Sequence, residues 1–309
     1  ISLVFPGQGS QYIGMGKDFS NNFPIAKEVY NEVDDILGFS LSKLIFNGQI
    51  EDLTLTKNAQ PAIMATSIAI VRTLEKEGFN IKKSKFVAGH SLGEYTALCA
   101  SDAISLADTA HILKMRGIFM QEAVSFGVGA MAAILGLNLD KVESLVSEIK
   151  SNEICEIAND NEPNQVVLSG HKVAIEKACD KAKLLGAKKA ILLPVSAPFH
   201  CSLMKKASIE MSDKIKSIEF KPLTNQIVSN VNALPQNDPN KIKELLIEQI
   251  FSTVKWRESI EFINKQGTET FIELGPGKVL SGMTKRIARN VKIINIETLR
   301  DLESFKNEF

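Results

Sequence analysis

The sequence contains few of the residues that mark metal-binding or nucleic-acid-binding proteins. Of its 309 residues only four are cysteines and four are histidines, and they form neither a CxxC pair nor a cluster at metal-ligand spacing. Lys and Arg total 36, and Asp and Glu also total 36, so no overall basic excess is available to neutralise nucleic-acid phosphates. We therefore expect no metal site, no nucleic-acid partner and reduced thiols.

Long apolar runs and targeting segments are also missing. No stretch approaches the roughly 18 apolar residues of a membrane-spanning helix, and no signal peptide precedes the first strand. The sequence thus predicts a soluble, cytoplasmic protein with no membrane partner. Because a strand pattern starts immediately at Ile1, we expect an initiator methionine, with one or two further residues at most, to precede it.

Short apolar runs alternate with longer helical patterns, which is typical of an α/β protein with parallel strands. The first run, Ser2–Phe5, ends at a Pro-Gly pair, and the second, residues 85–88, ends at Gly89. Helical periodicity is predicted at residues 25–37, 61–77, 92–100 and 106–124, with Pro61 opening the second of these helices.

The pattern changes between residues 127 and 195. It reads strand, helix, strand, strand, helix, strand, which is the ferredoxin-like βαββαβ order, and its third element is a strand at residues 154–158. We therefore predict a large α/β domain with a parallel central sheet, formed by residues 1–126 and 196–309. A ferredoxin-like small domain, residues 127–195, is inserted into it.

Gly89-His90-Ser91-Leu92-Gly93 matches the GxSxG motif, with a strand before it and a helix after it. A sharp strand-to-helix turn strains the serine backbone and pushes Oγ outward, and glycines permit so tight a turn. The helix start also offers free N–H groups to an oxyanion. A serine that merely caps a helix would fit the same residues, in a non-catalytic binding module. The flanking strand and helix favour Ser91 as a nucleophile.

A serine nucleophile needs a base, and only four histidines are available. His90 adjoins the serine and should point away from Oγ, and His111 lies in an apolar helix and is expected to be a core or partly buried residue. His171 should lie in a loop of the small domain. His200 follows the crossing back to the large domain, where sites are often built, so it is the leading candidate.

Arg116 is an arginine with apolar helical neighbours on both sides. A guanidinium cannot be neutralised by losing a proton, so burying it unpaired is very costly. It could extend to the surface, pair with Asp108 or Glu122, or grip a substrate carboxylate with its planar fork. The apolar neighbours, three and four residues away, are Ile112, Leu113, Phe119 and Met120.

Two glycine-rich loops do not support nucleotide binding. The first, Gly7-Gln8-Gly9-Ser10-Gln11, lacks the third glycine of a dinucleotide fingerprint, because Tyr12 occupies that position. The second, Gly275-Pro276-Gly277-Lys278, lacks the spacing of a phosphate-binding loop. The first loop could instead bring the Gln8 backbone N–H to the top of the sheet beside Ser91.

Taken together, these motifs resemble the malonyl-CoA:acyl carrier protein transacylase family of bacterial type II fatty-acid synthesis, over nearly the whole chain. The resemblance rests on the two loops and the serine motif, extended by Glu94-Tyr95, and on five further segments. These segments are Met115-Arg116-Gly117 with Met120-Gln121, Gly129-Ala130-Met131-Ala132-Ala133, Ala197-Pro198-Phe199-His200, Gln249 before Val254-Lys255-Trp256, and Glu273-Leu274 before the second loop.

The resemblance implies that the large domain is hydrolase-like, and it implies a role for each site residue. Ser91 would be the nucleophile and His200 its general base, while Gln249 would orient His200 through its backbone carbonyl. Leu92 and Gln8 would offer backbone N–H groups to the oxyanion. The substrate-binding residues would be Arg116, which holds the malonyl carboxylate, Phe199, whose ring should lie near the malonyl C2 carbon, Gln8 and His90.

The implied activity is ping-pong transfer of malonyl from malonyl-CoA to the pantetheine thiol of acyl carrier protein, with no metal or bound redox cofactor. The partner would be an acidic carrier protein that meets a monomeric enzyme transiently. Its docking surface would be basic, and the candidates are Lys205, Lys206, Lys285, Arg286 and Arg289.

Two other enzymes would share many of these features. A serine esterase or thioesterase of the α/β-hydrolase type would place an acid, Asp160 or Asp180, between the serine and the histidine in the chain. A discrete acyltransferase that serves a polyketide synthase would have nearly the same sequence pattern.

Overall fold

The computed structural model describes residues 1–149, 153–195 and 197–308. Residues 196 and 309, the predicted bounds of the second large-domain segment, lie outside the described residues. The strands are Ser2–Phe5 (β1), Phe86–Gly89 (β2), Gly129–Leu135 (β3), Cys155–Glu162 (β4), Gln165–His171 (β5), Lys189–Leu192 (β6), Gln226–Val228 (β7), Pro235–Gln236 (β8), Thr270–Leu274 (β9) and Lys292–Ile296 (β10).

Helices connect most of these strands. They are Lys17–Asn22 (α1), Pro24–Leu37 (α2), Leu41–Asn47 (α3), Ile50–Thr54 (α4), Thr56–Lys76 (α5), Leu92–Ala100 (α6), Leu106–Glu122 (α7), Leu139–Ile149 (α8), Lys172–Leu184 (α9), Lys205–Ser217 (α10), Pro239–Gln249 (α11), Trp256–Lys265 (α12), Val279–Ile287 (α13) and Leu299–Lys306 (α14), with short 3₁₀ turns at Ile81–Lys83 and Ser202–Met204. No helix in the described ranges is both long and apolar enough to cross a bilayer.

The larger sheet has six strands in the order β10-β9-β1-β2-β7-β8. Strand β1 lies between β9 and β2 and pairs in parallel with both. The sheet is mixed, not wholly parallel as predicted, because β8 runs antiparallel to β7. Only residues 229–234 join these two strands, and so short a link permits antiparallel pairing alone. The fold is therefore α/β with a mixed sheet.

The smaller sheet has four strands in the order β4-β5-β3-β6, and all three pairings are antiparallel. Helices α8 and α9 pack on it and share a separate apolar core with its strands. Strand β4 continues to Glu162, four residues beyond the predicted end at residue 158. The strand is longer because Asn159, Asp160 and Glu162 continue the pairing with β5, and the Asp160 N–H also donates to the Val254 carbonyl at 3.0 Å.

Helix α5 begins earlier than the sequence pattern predicts. It starts at Thr56, so Pro61 lies inside the helix and does not open it. Helix α7 crosses the first turn of α5 so closely that a Cβ on Gly117 would lie 2.6 Å from the Lys57 Cα. This close crossing fixes α7, and with it the neighbouring Arg116, against the buried helix α5.

Candidate active site

The turn between β2 and α6 carries Ser91 in a strained conformation, with φ 52° and ψ −108°. Its two glycines are needed for close packing. A Cβ on Gly93 would lie 2.3 Å from the Phe5 carbonyl oxygen, and one on Gly89 would lie 1.9 Å from the Gly93 carbonyl. No side chain fits at either position, so the GxSxG pattern is explained by backbone contact within the turn and with β1.

The side chain of Asn230, just beyond β7, holds both ends of this turn. Its Oδ1 accepts the Ser91 N–H at 2.8 Å, and its Nδ2 donates to the Gly89 carbonyl at 2.8 Å. The two bonds offset part of the backbone strain at Ser91, which costs about 1–3 kcal/mol. In the sequence, the only signal for Asn230 is a polar residue at the end of a strand beside β2.

His200 lies next to the serine. Its Nε2 is 2.8 Å from Ser91 Oγ and its Nδ1 is 2.8 Å from the Gln249 carbonyl oxygen. Because a carbonyl can only accept, Nδ1 carries the proton and the lone pair of Nε2 faces the serine. Burial, with the charge of Arg116 second, lowers the pKa of His200 to about 3. The imidazole is therefore neutral near pH 7 and can accept a proton.

The remaining histidines do not contact Ser91 Oγ. The His90 side chain turns away from it as predicted, and its Nε2 lies 2.9 Å from Asn161 Oδ1. The expectation for His111 is wrong: it is exposed, on the outer face of α7. His171 was expected in a loop but ends strand β5.

Arg116 is 1% exposed and has three neutral hydrogen-bond partners. Its Nη1 donates to Gln60 Oε1 at 2.9 Å, and its Nη2 donates to Gln249 Oε1 at 2.8 Å and to Ser91 Oγ at 3.1 Å. The guanidinium carbon lies 5.4 Å from the centre of the Tyr95 ring. A buried cation is thus held in direct contact with the serine hydroxyl.

Neither acidic partner considered for Arg116 pairs with it. Asp108 accepts a hydrogen bond from Ser105 at the start of α7, and Glu122 is exposed. The acids of the alternative triad do not reach His200 either: Asp160 pairs with Arg257, and Asp180 with Lys183.

Gln249 joins the groups around the serine. In addition to the bonds to His200 and Arg116, its Nε2 donates to Glu94 Oε2 at 2.7 Å and to the Ser91 carbonyl at 3.0 Å. Burial raises the pKa of Glu94 to about 7, against hydrogen bonds from Gln249 and its neighbours. The sequence indicated Gln249, but nothing in it indicated that its side chain links an acid to Arg116.

Ser91, His200 and Arg116 line a cavity of about 290 Å³. A wider cleft of about 690 Å³ also contacts His200, but Ser91 and Arg116 do not line it, so the smaller cavity is the candidate site. Leu92 begins α6, so its N–H has no partner within the helix. The lining residues include Gln8, His90, Ser91, Arg116, Phe199 and His200.

The first glycine loop packs directly on the serine turn. A Cβ on Gly7 would lie 2.7 Å from the His90 carbonyl oxygen, and the Gln8 side chain donates to Thr56 Oγ1 at 3.4 Å. The loop therefore brings Gln8 to the cavity, on the side where α6 begins.

Within the described ranges, no group of three or more His, Cys, Asp or Glu side chains is arranged to hold a metal ion.

A serine on a strained turn, with a neutral histidine bonded to its hydroxyl, can form an ester with an acyl group and pass that group to a second acceptor. Fold and site together are those of an acyl-transfer enzyme. Residues 2–301 match the acyl transferase domain family. The chain belongs to this family, within its branch of malonyl-CoA:acyl carrier protein transacylases, which confirms the resemblance inferred from the motifs.

Several known proteins are similar over nearly their full length. The malonyl CoA-acyl carrier protein transacylase of Bacillus subtilis is 44% identical over 98% of this chain and 95% of its own length. That of Escherichia coli K12 is 42% identical over 93% of this chain and 92% of its own length. A crystal structure of an acyl-carrier-protein S-malonyltransferase from Bartonella henselae has 45% identity and a TM-score of 0.97, covering 99% of this chain and 98% of that one.

A further solved structure includes a partner. It is a malonyl-transacylase in complex with a type II polyketide acyl carrier protein, 37% identical to this chain, with a TM-score of 0.97 and coverage of 100% and 99%.

Proposed function

We propose that this enzyme transfers the malonyl group from malonyl-CoA to the pantetheine thiol of acyl carrier protein through an ester on Ser91. The observation that carries this proposal is the contact between Arg116 and the serine. Since Nη2 is 3.1 Å from Ser91 Oγ, a short acyl group bound to Oγ would place a terminal carboxylate against the guanidinium. The names of the relatives agree with this substrate.

The proposed cycle uses one base and two backbone donors. His200 takes the Ser91 proton as Oγ attacks the thioester carbonyl, and the proton then passes to the departing thiolate of coenzyme A. In the second half, His200 deprotonates the pantetheine thiol, which attacks the ester and releases Ser91. Gln8 and Leu92 would donate their N–H groups to the oxyanion in both halves. Gln249 would hold the imidazole through its carbonyl.

Arg116 would select acyl groups that end in a carboxylate. A malonyl carboxylate can accept two hydrogen bonds from the planar fork, whereas acetyl offers none. The neutral partners of Arg116 already satisfy part of its donor capacity. The transition state with malonyl should therefore be favoured over that with acetyl by about 1–3 kcal/mol, which corresponds to roughly a 5- to 150-fold higher kcat/KM for malonyl-CoA than for acetyl-CoA.

Phe199 and His90 would complete the pocket. Phe199 is 7% exposed and lines the cavity beside His200, so its ring would restrict a methyl branch at C2. We expect Phe199→Ser to raise the ratio of kcat/KM for methylmalonyl-CoA to that for malonyl-CoA, and an unchanged ratio in an active variant would refute this role. His90, bonded to Asn161, would shape the wall of the pocket.

The two sheets would form the two predicted domains. A hydrolase-like large domain of residues 1–126 and 196–309 is supported by the central position of β1 and β2 and the serine turn after β2. A ferredoxin-like small domain of residues 127–195 is supported by the order β3, α8, β4, β5, α9, β6 and by the antiparallel sheet β4-β5-β3-β6. Malonyl would bind between the two domains.

The proposed partners are malonyl-CoA and an acidic carrier protein, and the enzyme would act as a cytoplasmic monomer without a cofactor. The chemistry supports the last point, since a thioester is already activated and the dyad supplies the base. The carrier complex of a relative supports the choice of acceptor.

A product assay tests the function directly. The enzyme is mixed with malonyl-CoA and either a phosphopantetheine-bearing carrier protein or water alone as the acceptor. We expect malonyl-carrier as the main product, with parallel lines in double-reciprocal plots, because the acyl-serine forms before the carrier binds. Release of free malonate as the main product in both cases would identify a thioesterase instead.

A further inference from the structure

Glu94 is a buried acid that the proposed cycle does not use. It lies on α6, three residues after Ser91, and is 1% exposed. Its Oε2 accepts from Gln249 Nε2 at 2.7 Å and from the Asn230 N–H at 3.2 Å, and the Ser229 hydroxyl also donates to the carboxyl group. An acid in so dry a position costs stability unless its bonds offset the loss of hydration.

The Gln249 amide can satisfy all its partners in one orientation only. Its Nε2 faces three acceptors, the Glu94 carboxyl, the Ser91 carbonyl and, farther away at 3.4 Å, the Asn230 Oδ1. Its Oε1 faces the Nη2 donor of Arg116. Turning the amide over would bring an NH₂ group against the guanidinium and an oxygen against the carboxyl. Both contacts would be repulsive in a site of low dielectric constant.

We propose that Glu94 is a positioning residue that fixes the orientation of the Gln249 amide and thereby aims Arg116 at the acyl group. The proposal rests on the function assigned above to Arg116. Glu94 acts here as a hydrogen-bond acceptor, so the neutral carboxamide of glutamine should replace it. It acts on Arg116 and much less on His200, because His200 is held by the main-chain carbonyl of Gln249 at the end of α11.

The two effects can be separated with two reactions at Ser91. Acylation by malonyl-CoA needs Arg116 as the partner of the carboxylate, whereas a small neutral sulfonyl fluoride has no carboxylate and its reaction depends mainly on Ser91 and His200. Glu94→Met fills the volume without an acceptor, Glu94→Ala removes the side chain, and Glu94→Gln restores the acceptor. Thr96→Ala is the matched control, because Thr96 is fully buried on the same helix and its Oγ1 has no hydrogen-bond partner within the described residues.

We expect Glu94→Met and Glu94→Ala to lower kcat/KM for malonyl-CoA by about 10- to 100-fold, while sulfonylation stays within about 3-fold of the wild-type rate. Glu94→Gln and Thr96→Ala should stay near wild type in both reactions. If Glu94→Ala does not fold, Glu94→Met and Glu94→Gln still give the comparison.

Three results would overturn the proposal. Equal loss in both reactions would make Glu94 a structural residue only, an unchanged malonyl rate in Glu94→Met would remove any role, and a Glu94→Gln enzyme as impaired as Glu94→Met would show that the charge matters and not the acceptor. A measurement on the wild-type enzyme distinguishes failure of the Glu94 proposal from failure of the proposed function. If intact mass shows no malonyl on wild-type Ser91, the proposed function falls and the role of Glu94 with it.

Discussion

Arg116 is the residue that gives this site its character. A serine and a neutral histidine would serve many acyl-transfer reactions, but a fully buried guanidinium bonded to the serine hydroxyl suits an acyl group with its own negative charge. Gln60 and Gln249, neither of which is charged, offset only part of the cost of burying the cation, because the buried Arg116 Nε has no hydrogen-bond partner among the described residues. If Arg116 selects the substrate as proposed, substrate selection and the stability of the empty site are linked at one side chain.

Replacing Arg116 tests this selectivity. Arg116→Ala should lower kcat/KM for malonyl-CoA by about 100-fold or more, because a carboxylate in the pocket loses its charged partner. Acetyl transfer should change little or increase, since the variant no longer buries a lone cation. Initial rates with both thioesters provide the measurement.

Arg116→Lys is the control for charge alone. Lysine keeps the positive charge but cannot form the fork. The kcat/KM of Arg116→Lys for malonyl-CoA should therefore lie between the values of the wild-type enzyme and of Arg116→Ala. A similar loss for malonyl and acetyl in Arg116→Ala would show that the arginine is structural, and the selectivity argument would fail.

At the residue scale the sequence predicted the parts of the site that lie in local patterns. Ser91 was indicated by its motif, and Arg116 by its apolar neighbours. Glu94 was named only as part of the extended serine motif and given no role, and Asn230 and Gln60 were not predicted, because the roles of all three depend on contacts between distant segments. His111 was misjudged because buried neighbours on one helix face do not show which way the residue between them points.

At the scale of elements, the serine turn and the end of β1 form one packed unit. The Gly93 Cα faces the Phe5 carbonyl and the Gly7 Cα faces the His90 carbonyl, each too closely for a side chain. The loop that carries Gln8 and the turn that carries Ser91 are therefore packed tightly against each other. Any oxyanion site formed by Gln8 and Leu92 depends on this contact.

A pair of glycine substitutions within helices tests the packing. Gly93→Ala should lower the free energy of unfolding by about 2–4 kcal/mol and impair acylation, because its Cβ would lie 2.3 Å from a backbone oxygen. Gly282→Ala in α13 meets nothing nearer than 3.6 Å, so it should gain up to about 1 kcal/mol from helix propensity. Denaturant unfolding measures both, and equal effects would contradict the contact argument.

Element types were predicted better than element bounds. The strands on either side of the serine and the helices α6 and α7 followed from periodicity and glycine turns. The early start of α5 did not, because proline usually opens a helix and the crossing with α7 that stabilises residues 56–60 is a tertiary contact. The extension of β4 did not follow either, because its last residues pair with β5 across two register shifts, which interrupt the regular strand pattern.

At the scale of the whole molecule, two sheets face each other across the cavity and are joined by ion pairs. Asp160 and Glu162 at the end of β4 pair with Arg257 on α12 and Arg286 on α13. Arg257 holds Asp160 with contacts of 2.7 and 3.1 Å. Because Arg286 is engaged in this link, it is a weaker candidate for carrier docking than the sequence suggested.

The exposed basic residues that remain predict a docking surface. Lys205 and Lys206 begin α10 after His200, Lys285 lies in the last turn of α13, and Arg289 is two residues beyond the end of that helix. Reversing the charge of these four residues should raise KM for an acidic carrier protein about 10-fold or more and leave transfer to free pantetheine unchanged. Added salt should also raise KM for the carrier protein of the wild-type enzyme, because it screens the same attraction.

Lys27 and Lys43 supply the matched control, since both are exposed on helices α2 and α3 and neither lines the cavity. Reversing their charge should leave the carrier KM as it is. If the four-residue variant behaves like this control, the carrier does not dock on these lysines and arginines.

The central claim is that Ser91 carries malonyl as a covalent ester, and intact mass spectrometry of the enzyme after brief mixing with malonyl-CoA tests it most directly. We expect one added malonyl group, about 86 Da from the chemistry of a single ester bond, on the peptide that contains Ser91. The adduct should disappear on addition of the carrier protein and should not form in Ser91→Ala. Labelling that persists in Ser91→Ala, or a wild-type enzyme that turns over malonyl-CoA without any adduct, would contradict the account.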